Sequence, residues 1–272
     1  MFLADYHVHS DISLDSDASM YEMALAEAAA GMQQMCFTNH MDMVDWVDFL
    51  PVPVMPTAAY ETVRRYEYMR ARHGEPLDIR LGVELGEAIF NPQMAAEAAQ
   101  SPGLDFVMGS LHVLPQEGDF YYIDYKSREH CEALYDEYMD KLIEIAKMDF
   151  FDVMAHVGYC RRDMSRRGFD VKLTLERWGD KVEQLFKILI ANGRGIEINC
   201  SGIRDGLEAF PDESVLRLYK SLGGEIITVG SDAHRPEDAG KCVREGYELA
   251  KRCGFKYVTT FRRRRPEFAA ID

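Results

Sequence analysis

The sequence predicts an α/β fold, a parallel β-sheet whose strands are joined by helical crossovers. Three observations carry this. Short apolar runs that read as buried strands alternate with stretches of helical periodicity. Each apolar run ends in polar residues. No low-complexity or linker-like tract divides the 272 residues and no internal repeat is evident, so residues 1–272 read as a single domain.

The first run, Phe2–His9, reads as a strand, which sets His7 and His9 on one face because residues i and i+2 project together. Met20–Gly31 follows as an Ala-rich helix, with Ser19 placed to cap it and Gly31 to end it. Gln34–His40 is the next strand, and Ala58–His73 repeats apolar and aromatic residues at helical spacing. Strands at Ile79–Gly86 and Phe106–His112 precede a helix at Arg128–Lys147. Phe151–His156, Gly195–Cys200 and Glu225–His234 are the later strands. They are separated by helices at Leu175–Asn192 and Glu213–Leu222, and Glu237–Cys253 is the last helix. A further apolar run, Lys256–Phe261, lies near the end. Periodicity alone leaves a closed barrel and an open doubly wound sheet equally possible. Both place their sites at the carboxyl ends of the strands.

Composition narrows the function. Hydrophobic residues make up 47% of the chain, enough for a sizeable core. No stretch reaches the roughly 18 apolar residues of a membrane span, and the N-terminus has no signal-peptide pattern. The six cysteines lack CxxC spacing and read as reduced thiols of a cytoplasmic protein. A formal net charge of −15 disfavours nucleic acid as a partner. Two arginine clusters stand against this background. Arg161, Arg162, Arg166 and Arg167 follow a histidine, whereas Arg262–Arg265 read as a solvated tail.

The strand-end rule then becomes a test. An isolated H-x-H pair is a weak signal. Here, however, His7 and His9, His40, His112, His156 and His234 all end predicted strands, with Glu84 and Asp232 beside them. Of the eight histidines, only His73 and His130 fall in predicted helices. Imidazole and carboxylate together suit zinc, manganese or iron. The set is too large for one ion, so two or three divalent metal ions are implied, with a bridging carboxylate, as in phosphoesterases. No Ser-His-Asp arrangement is evident and no cysteine has an obvious partner, which disfavours covalent catalysis; a metal-activated hydroxide would be the nucleophile.

The runs D-Y-H-V-H-S, F-T-N-H, G-V-E, G-S-L-H, M-A-H-V-G and G-S-D-A-H occur in that order. Together they resemble the PHP (polymerase and histidinol phosphatase) superfamily along nearly the whole chain. AHVGYCRR and IEINCSGIR are similar to the monofunctional histidinol phosphatases. The resemblance implies a distorted seven-stranded (β/α) barrel with a trinuclear centre. It assigns His7, His9, Glu84 and Asp232 to one ion. Glu84, His112 and His156 go to a second, and Asp15, His40 and His234 to a third. Asp15 matches the family spacing, with Asp11 and Asp17 as alternatives, and Glu87 is the alternative to Glu84.

The resemblance further implies that Arg161 and Arg204 contact a phosphate; Asn199 and Ser201 sit between them in the chain, placed to orient substrate. One departure from the family is Gly158, where relatives often carry an acid. Asp232, His234 or a metal-bound water would protonate the leaving alcohol. Tyr121, Tyr122, Tyr125, Asp119 and Asp124 could wall the mouth against an amine and an imidazole. The expected activity is hydrolysis of L-histidinol phosphate in histidine biosynthesis, by a monomer or homodimer. Two alternatives stand beside it. One is a phosphoesterase acting on another small monoester or an oligonucleotide end, and the other is a catalytically silent metal-binding protein.

Overall fold

A computed structural model describes residues 1–45 and 57–271. In chain order the first half holds β1 (Ala4–Val8), α1 (Met20–Ala29), β2 (Gln34–Asp42), α2 (Thr57–His73), β3 (Asp78–Gly86), α3 (Pro92–Ala99) and β4 (Phe106–Ser110). A short hairpin, β5 (Val113–Leu114) and β6 (Gly118–Asp119), precedes α4 (Arg128–Ala146) and β7 (Val153–Met154). Then come α5 (Arg161–Arg166), α6 (Leu175–Ala191), β8 (Gly195–Asn199), α7 (Ser201–Arg204), α8 (Glu213–Ser221), β9 (Ile227–Gly230) and α9 (Val243–Arg252). A hairpin of β10 (Tyr257–Arg262) and β11 (Arg265–Ala270) ends the described chain.

The seven strands β1-β2-β3-β4-β7-β8-β9 pair in parallel in that order. The outer two then meet. Val8 bridges Ala233 in parallel, and the His9 N–H donates to the Ala233 carbonyl at 2.9 Å. The sheet is therefore a nearly closed barrel, not an open doubly wound sheet. Helices cover its outside, so its strands are buried on both faces and read as near-continuous apolar runs. Helix α6 shows the matching pattern, burying Trp178, Val182, Leu185, Phe186 and Leu189 along one stripe. Helix α1 starts at the predicted cap, where Ser19 and Glu22 form a reciprocal capping box.

Two expectations change. The fifth barrel strand shrinks from Phe151–His156 to Val153–Met154, because the chain turns sharply at His156, whose φ is +20°. The arginines at 262–265 are not a solvated tail. They form the turn of the β10–β11 hairpin, and Arg263 and Arg264 have φ of 51° and 63°. The Arg264 guanidinium pairs with Asp152 and donates to the carbonyls of Ala99 and Phe150, both at 2.8 Å. Just before it, Phe261 packs at the floor of the barrel with Tyr6, Phe106, Met108 and Val153. The site-bearing end is thus the opposite one. All six cysteines are free, and no helix among the described residues is long and apolar enough to cross a membrane.

Candidate metal centre

The predicted ligands are carried to one rim by the strand ends. On β1 the register slips between Asp5 and Val8. The Asp5 carboxylate staples this irregularity, accepting from the N–H groups of His7 at 3.1 Å and Ser231 at 2.9 Å. His7 and His9 therefore both face the barrel interior, with ring centroids 5.0 Å apart. After β1 the chain loops so that Ser13 Oγ lies 3.0 Å from His9 Nδ1 and accepts from the His40 N–H at 3.0 Å. Two residues beyond β9's Gly230, Asp232 (φ 57°) turns the chain back and donates its N–H to the His7 carbonyl at 2.9 Å.

Glu84, on β3, is the centre of the arrangement. One carboxylate oxygen lies 3.2 Å from His7 Nε2, 3.5 Å from His9 Nε2 and 3.3 Å from His40 Nδ1. The other lies 2.9 Å from His156 Nε2 and 3.1 Å from His112 Nε2. Asp232 Oδ1 sits 3.6 Å from each of His7, His9 and His234. Asp15 Oδ2 lies 3.0 Å from His234 Nε2 and 3.7 Å from His40 Nε2. Glu87, the alternative to Glu84, stands behind His112. Its carboxylate accepts from the His112 N–H at 2.6 Å and lies 3.6 Å from Nδ1. Asp11 is drawn off by Arg65 at 2.8 Å, and Asp17 is exposed.

The electrostatics are those of a site built for cations. Burial would raise the Glu84 carboxyl, but His7, His112 and His40 hold it well below the usual range. Asp232 behaves likewise: its burial is outweighed by His7, His9, His234 and Arg162. Burial lowers His9, and its neighbours His234 and His40 push it down further. Burial opposes charge on His112 too, yet Glu84 and Glu87 lift it to about 9. Rings as close as His9 and His234, stacked at 3.9 Å, are poor neighbours when both are protonated. His9 Nε2 is buried, and the carboxylate oxygens around it are at the long limit of a hydrogen bond. Divalent ions fit this donor set. The nitrogen and oxygen atoms of His7, His9 and Asp232, of His7, Glu84 and His156, of His40, Glu84 and His112, and of His9, His40 and His234 form groups within 4.8 Å.

Above the cluster opens a cavity of about 430 Å³, lined by Asp15, His40, Glu84, His112, His156, Asp232 and His234. Asp119, Tyr121, Tyr122, Tyr159, Arg162, Asp163 and Arg235 complete the lining. Of the expected wall, Asp119, Tyr121 and Tyr122 take part. Tyr125 is buried with its hydroxyl on the Phe120 carbonyl at 2.7 Å, and Asp124 faces solvent beside Lys126.

The arginines sort differently from expectation. The Arg161 guanidinium is held by Asp170 and Glu208, at 2.6 and 2.5 Å, and does not line the cavity. Arg162 does. Its guanidinium lies 3.5 Å from Asp232 Oδ2 and 5.4 Å above the Tyr159 ring. Arg204 donates to the carbonyls of Ser231 at 2.7 Å and Asp232 at 3.4 Å, bracing the loop that presents Asp232. Asn199 and Ser201 are bonded to each other and buried, away from the cavity lining.

Glu197, which sequence reasoning passed over, is fully buried, 2.7 Å from His7 Nδ1. A carboxylate in the middle of an apolar strand, IEINC, was the signal that could have found it.

The PHP domain family model matches residues 5–201. The histidinol-phosphatase of Lactococcus lactis is 23% identical over 262 residues, spanning 94% of this chain and 93% of that protein. A probable histidinol-phosphatase of Deinococcus radiodurans is 26% identical over 272 residues, spanning 97% and 98%. Among solved structures, the L. lactis histidinol phosphate phosphatase complexed with zinc, L-histidinol and phosphate superposes with a TM-score of 0.79. It is 22% identical and the match covers 97% of this chain and 98% of that one. A second solved structure, from Listeria monocytogenes, gives 0.70 at 17% identity, covering 89% and 99%.

Proposed function

The chain belongs to the PHP domain family, and on that premise we propose that it is a metal-dependent phosphatase hydrolysing L-histidinol phosphate to L-histidinol and phosphate. The observation that carries the reading is one carboxylate, Glu84, within 3.5 Å of five strand-end histidines beneath a cavity that also holds an arginine. The names of the relatives and the zinc, histidinol and phosphate of the L. lactis structure support the substrate.

His7, His9, Glu84 and Asp232 would hold one ion, Glu84, His112 and His156 a second, and Asp15, His40 and His234 a third. When bound, such ions acidify water and neutralise phosphate charge. The chain's own residues do the rest. Arg162, stacked on Tyr159 and aimed at Asp232, presents a fixed guanidinium to a phosphate lying over the cluster. Arg204 acts through the backbone it braces and holds Asp232 at the rim. Asp232 and His234 flank the cavity where the departing alkoxide takes up its proton; with Asp232 held ionised and His234 in the ligand set, that proton would come from water held beside them. Asp119, Asp163, Tyr121 and Tyr122 offer negative charge and aromatic faces, which suit an amine and an imidazole.

The test is phosphate release from a panel of monoesters, with histidinol phosphate among them, alongside elemental analysis of the purified protein. Histidinol phosphate is expected to show the highest kcat/KM. Turnover no better than that of an aryl phosphate would reject the substrate. Bound metal with no hydrolysis of any monoester under zinc, manganese or iron would leave a silent metal-binding protein. Replacing His234 or Asp232 by Asn is expected to abolish turnover without unfolding the chain.

A further inference from the structure

We propose that Glu197 is a positioning residue that orders one ligand in each of two neighbouring ion sites. It rests on the metal-centre reading above and adds a function to a residue outside the ligand set. Its two carboxylate oxygens do separate work. Oε1 lies 2.7 Å from His7 Nδ1. Oε2 accepts the His156 backbone N–H at 2.8 Å and an Asn199 amide N–H at 3.2 Å. His7 falls both in the group with His9 and Asp232 and in the group with Glu84 and His156; in the assignment proposed above, His7 would serve the first ion and His156 the second.

The physics follows from these contacts. A carboxylate on Nδ1 makes the neutral His7 ring carry its proton there, which leaves the Nε2 lone pair facing Glu84 and Asp232. His156 has a φ of +20°, a backbone geometry that a residue with a side chain adopts only when its surroundings impose it. The bond from its N–H to Glu197 is one such restraint. The fold also makes room for the contact. A Cβ at Gly230, on the neighbouring strand β9, would lie 2.4 Å from Glu197 Oε1 and 2.4 Å from His7 Cβ. Glycine at that position is what lets the carboxylate and the imidazole meet.

The experiment compares wild type with E197Q and E197A by three measurements. These are zinc affinity and stoichiometry under chelator competition, the visible spectrum of the cobalt(II)-loaded protein, and thermal unfolding of the metal-free protein. Glutamine keeps the shape, and in the metal-free protein His7 can take the other tautomer and accept from the amide nitrogen; holding an ion through Nε2 would then set that amide N–H against His7 Nδ1–H. E197Q is expected to weaken zinc binding about 10–100-fold at two ions, to alter the cobalt spectrum, and to melt as the metal-free wild type does. E197A is expected to weaken zinc binding further, and to lower the metal-free melting temperature because the buried His156 N–H loses its acceptor. Gly230→Ala, which presses on the same pair with Glu197 still present, is expected to reproduce the loss.

Wild-type and E197Q proteins with equal zinc affinity and the same cobalt spectrum would overturn the proposal alone. A metal-free E197Q that melts well below metal-free wild type would make Glu197 a structural residue, and would also overturn it. Wild-type protein that takes up no ion would overturn the metal-centre reading, and this inference with it.

Discussion

Adjacent residues can differ completely in what they do, and the two arginines after His156 are the example. Helix α5 begins at Arg161, and successive helical residues diverge by about 100°, so one guanidinium meets Asp170 and Glu208 while the next overhangs the cluster. The sequence marks the pair but not which of them faces inward. Arg162→Ala is expected to lower kcat/KM for histidinol phosphate by about 10²–10³-fold, the usual loss when a fixed donor to developing charge is removed. Arg161→Ala should leave turnover near wild type and cost about 0.2–1 kcal/mol of stability, as partly exposed ion pairs do. Steady-state kinetics and urea titration on both variants check this. The histidines were legible because imidazole at a strand end is rare without a purpose. Glu197 was only half legible: an acid inside the apolar run IEINC marks it, but its partners His7 and His156 are set by tertiary structure.

Titration belongs to the same scale. In the metal-free protein His112 is raised to about 9, and Glu87, buried beside Asp42, to about 8. Both groups bind more protons when folded than when unfolded across neutral pH, so each contributes stability that is lost as pH rises toward its folded value. His9 and His156 are lowered and are neutral in both states above pH 7, so they do not oppose this. The melting temperature of chelator-treated protein is therefore expected to fall between about pH 7 and 9. Zinc-loaded protein should not show that fall, because ligation needs the deprotonated rings. Scanning calorimetry across that range, with and without zinc, decides it.

Among the elements, the β10–β11 hairpin was the least legible and has the clearest structural consequence. A two-residue turn with positive φ at both central positions normally announces itself through Asn-Gly or Asp-Gly. Here Arg263 and Arg264 occupy those positions, and tertiary bonds stand in for the missing turn preference. The Arg263 N–H donates to Asp105 Oδ1 and the Arg264 N–H to the Asp105 carbonyl, both at 2.9 Å. The hairpin seats Phe261 at the barrel floor, 2% exposed, with its N–H on the Tyr6 hydroxyl at 2.8 Å. Phe261→Ala is expected to cost about 3–5 kcal/mol, the range for a buried phenylalanine, with kcat little changed because the floor is remote from the rim. Denaturant midpoints and kcat measured together check both halves. By contrast, α1 and α6 were legible because a cap sequence and an apolar stripe are local signals. The shortening of β7 was not, because it depends on the turn at His156.

At the scale of the whole barrel, the two ends are held by different forces. The floor is sealed by packed side chains of β1, β2, β4 and β7 together with the hairpin, and involves none of the candidate ligands. The rim draws its donors from β1, β2, β3 and the segments after β4, β7 and β9, so ions there would tie together strands distant in the chain. The barrel's closure was not legible from periodicity because it is a contact between chain segments far apart, Val8 with Ala233, which no local pattern announces. Ligand binding to the folded state alone stabilises it by roughly 4 kcal/mol at a thousandfold excess over Kd. At about 2–4 °C per kcal/mol, each ion is worth on the order of 10 °C. Chelation is therefore expected to lower Tm by at least that much and to abolish phosphate release, both restored by zinc. The loss should also be polarised. Hydrogen exchange of amides in Ala4–Tyr6 and Phe106–Met108 should stay slow after chelation, because the floor's packing is untouched. Amides at His9, His112 and Asp232 should exchange faster. Uniform acceleration along the strands would mean that the ions hold the entire barrel, and an unchanged pattern would mean that the rim does not need them.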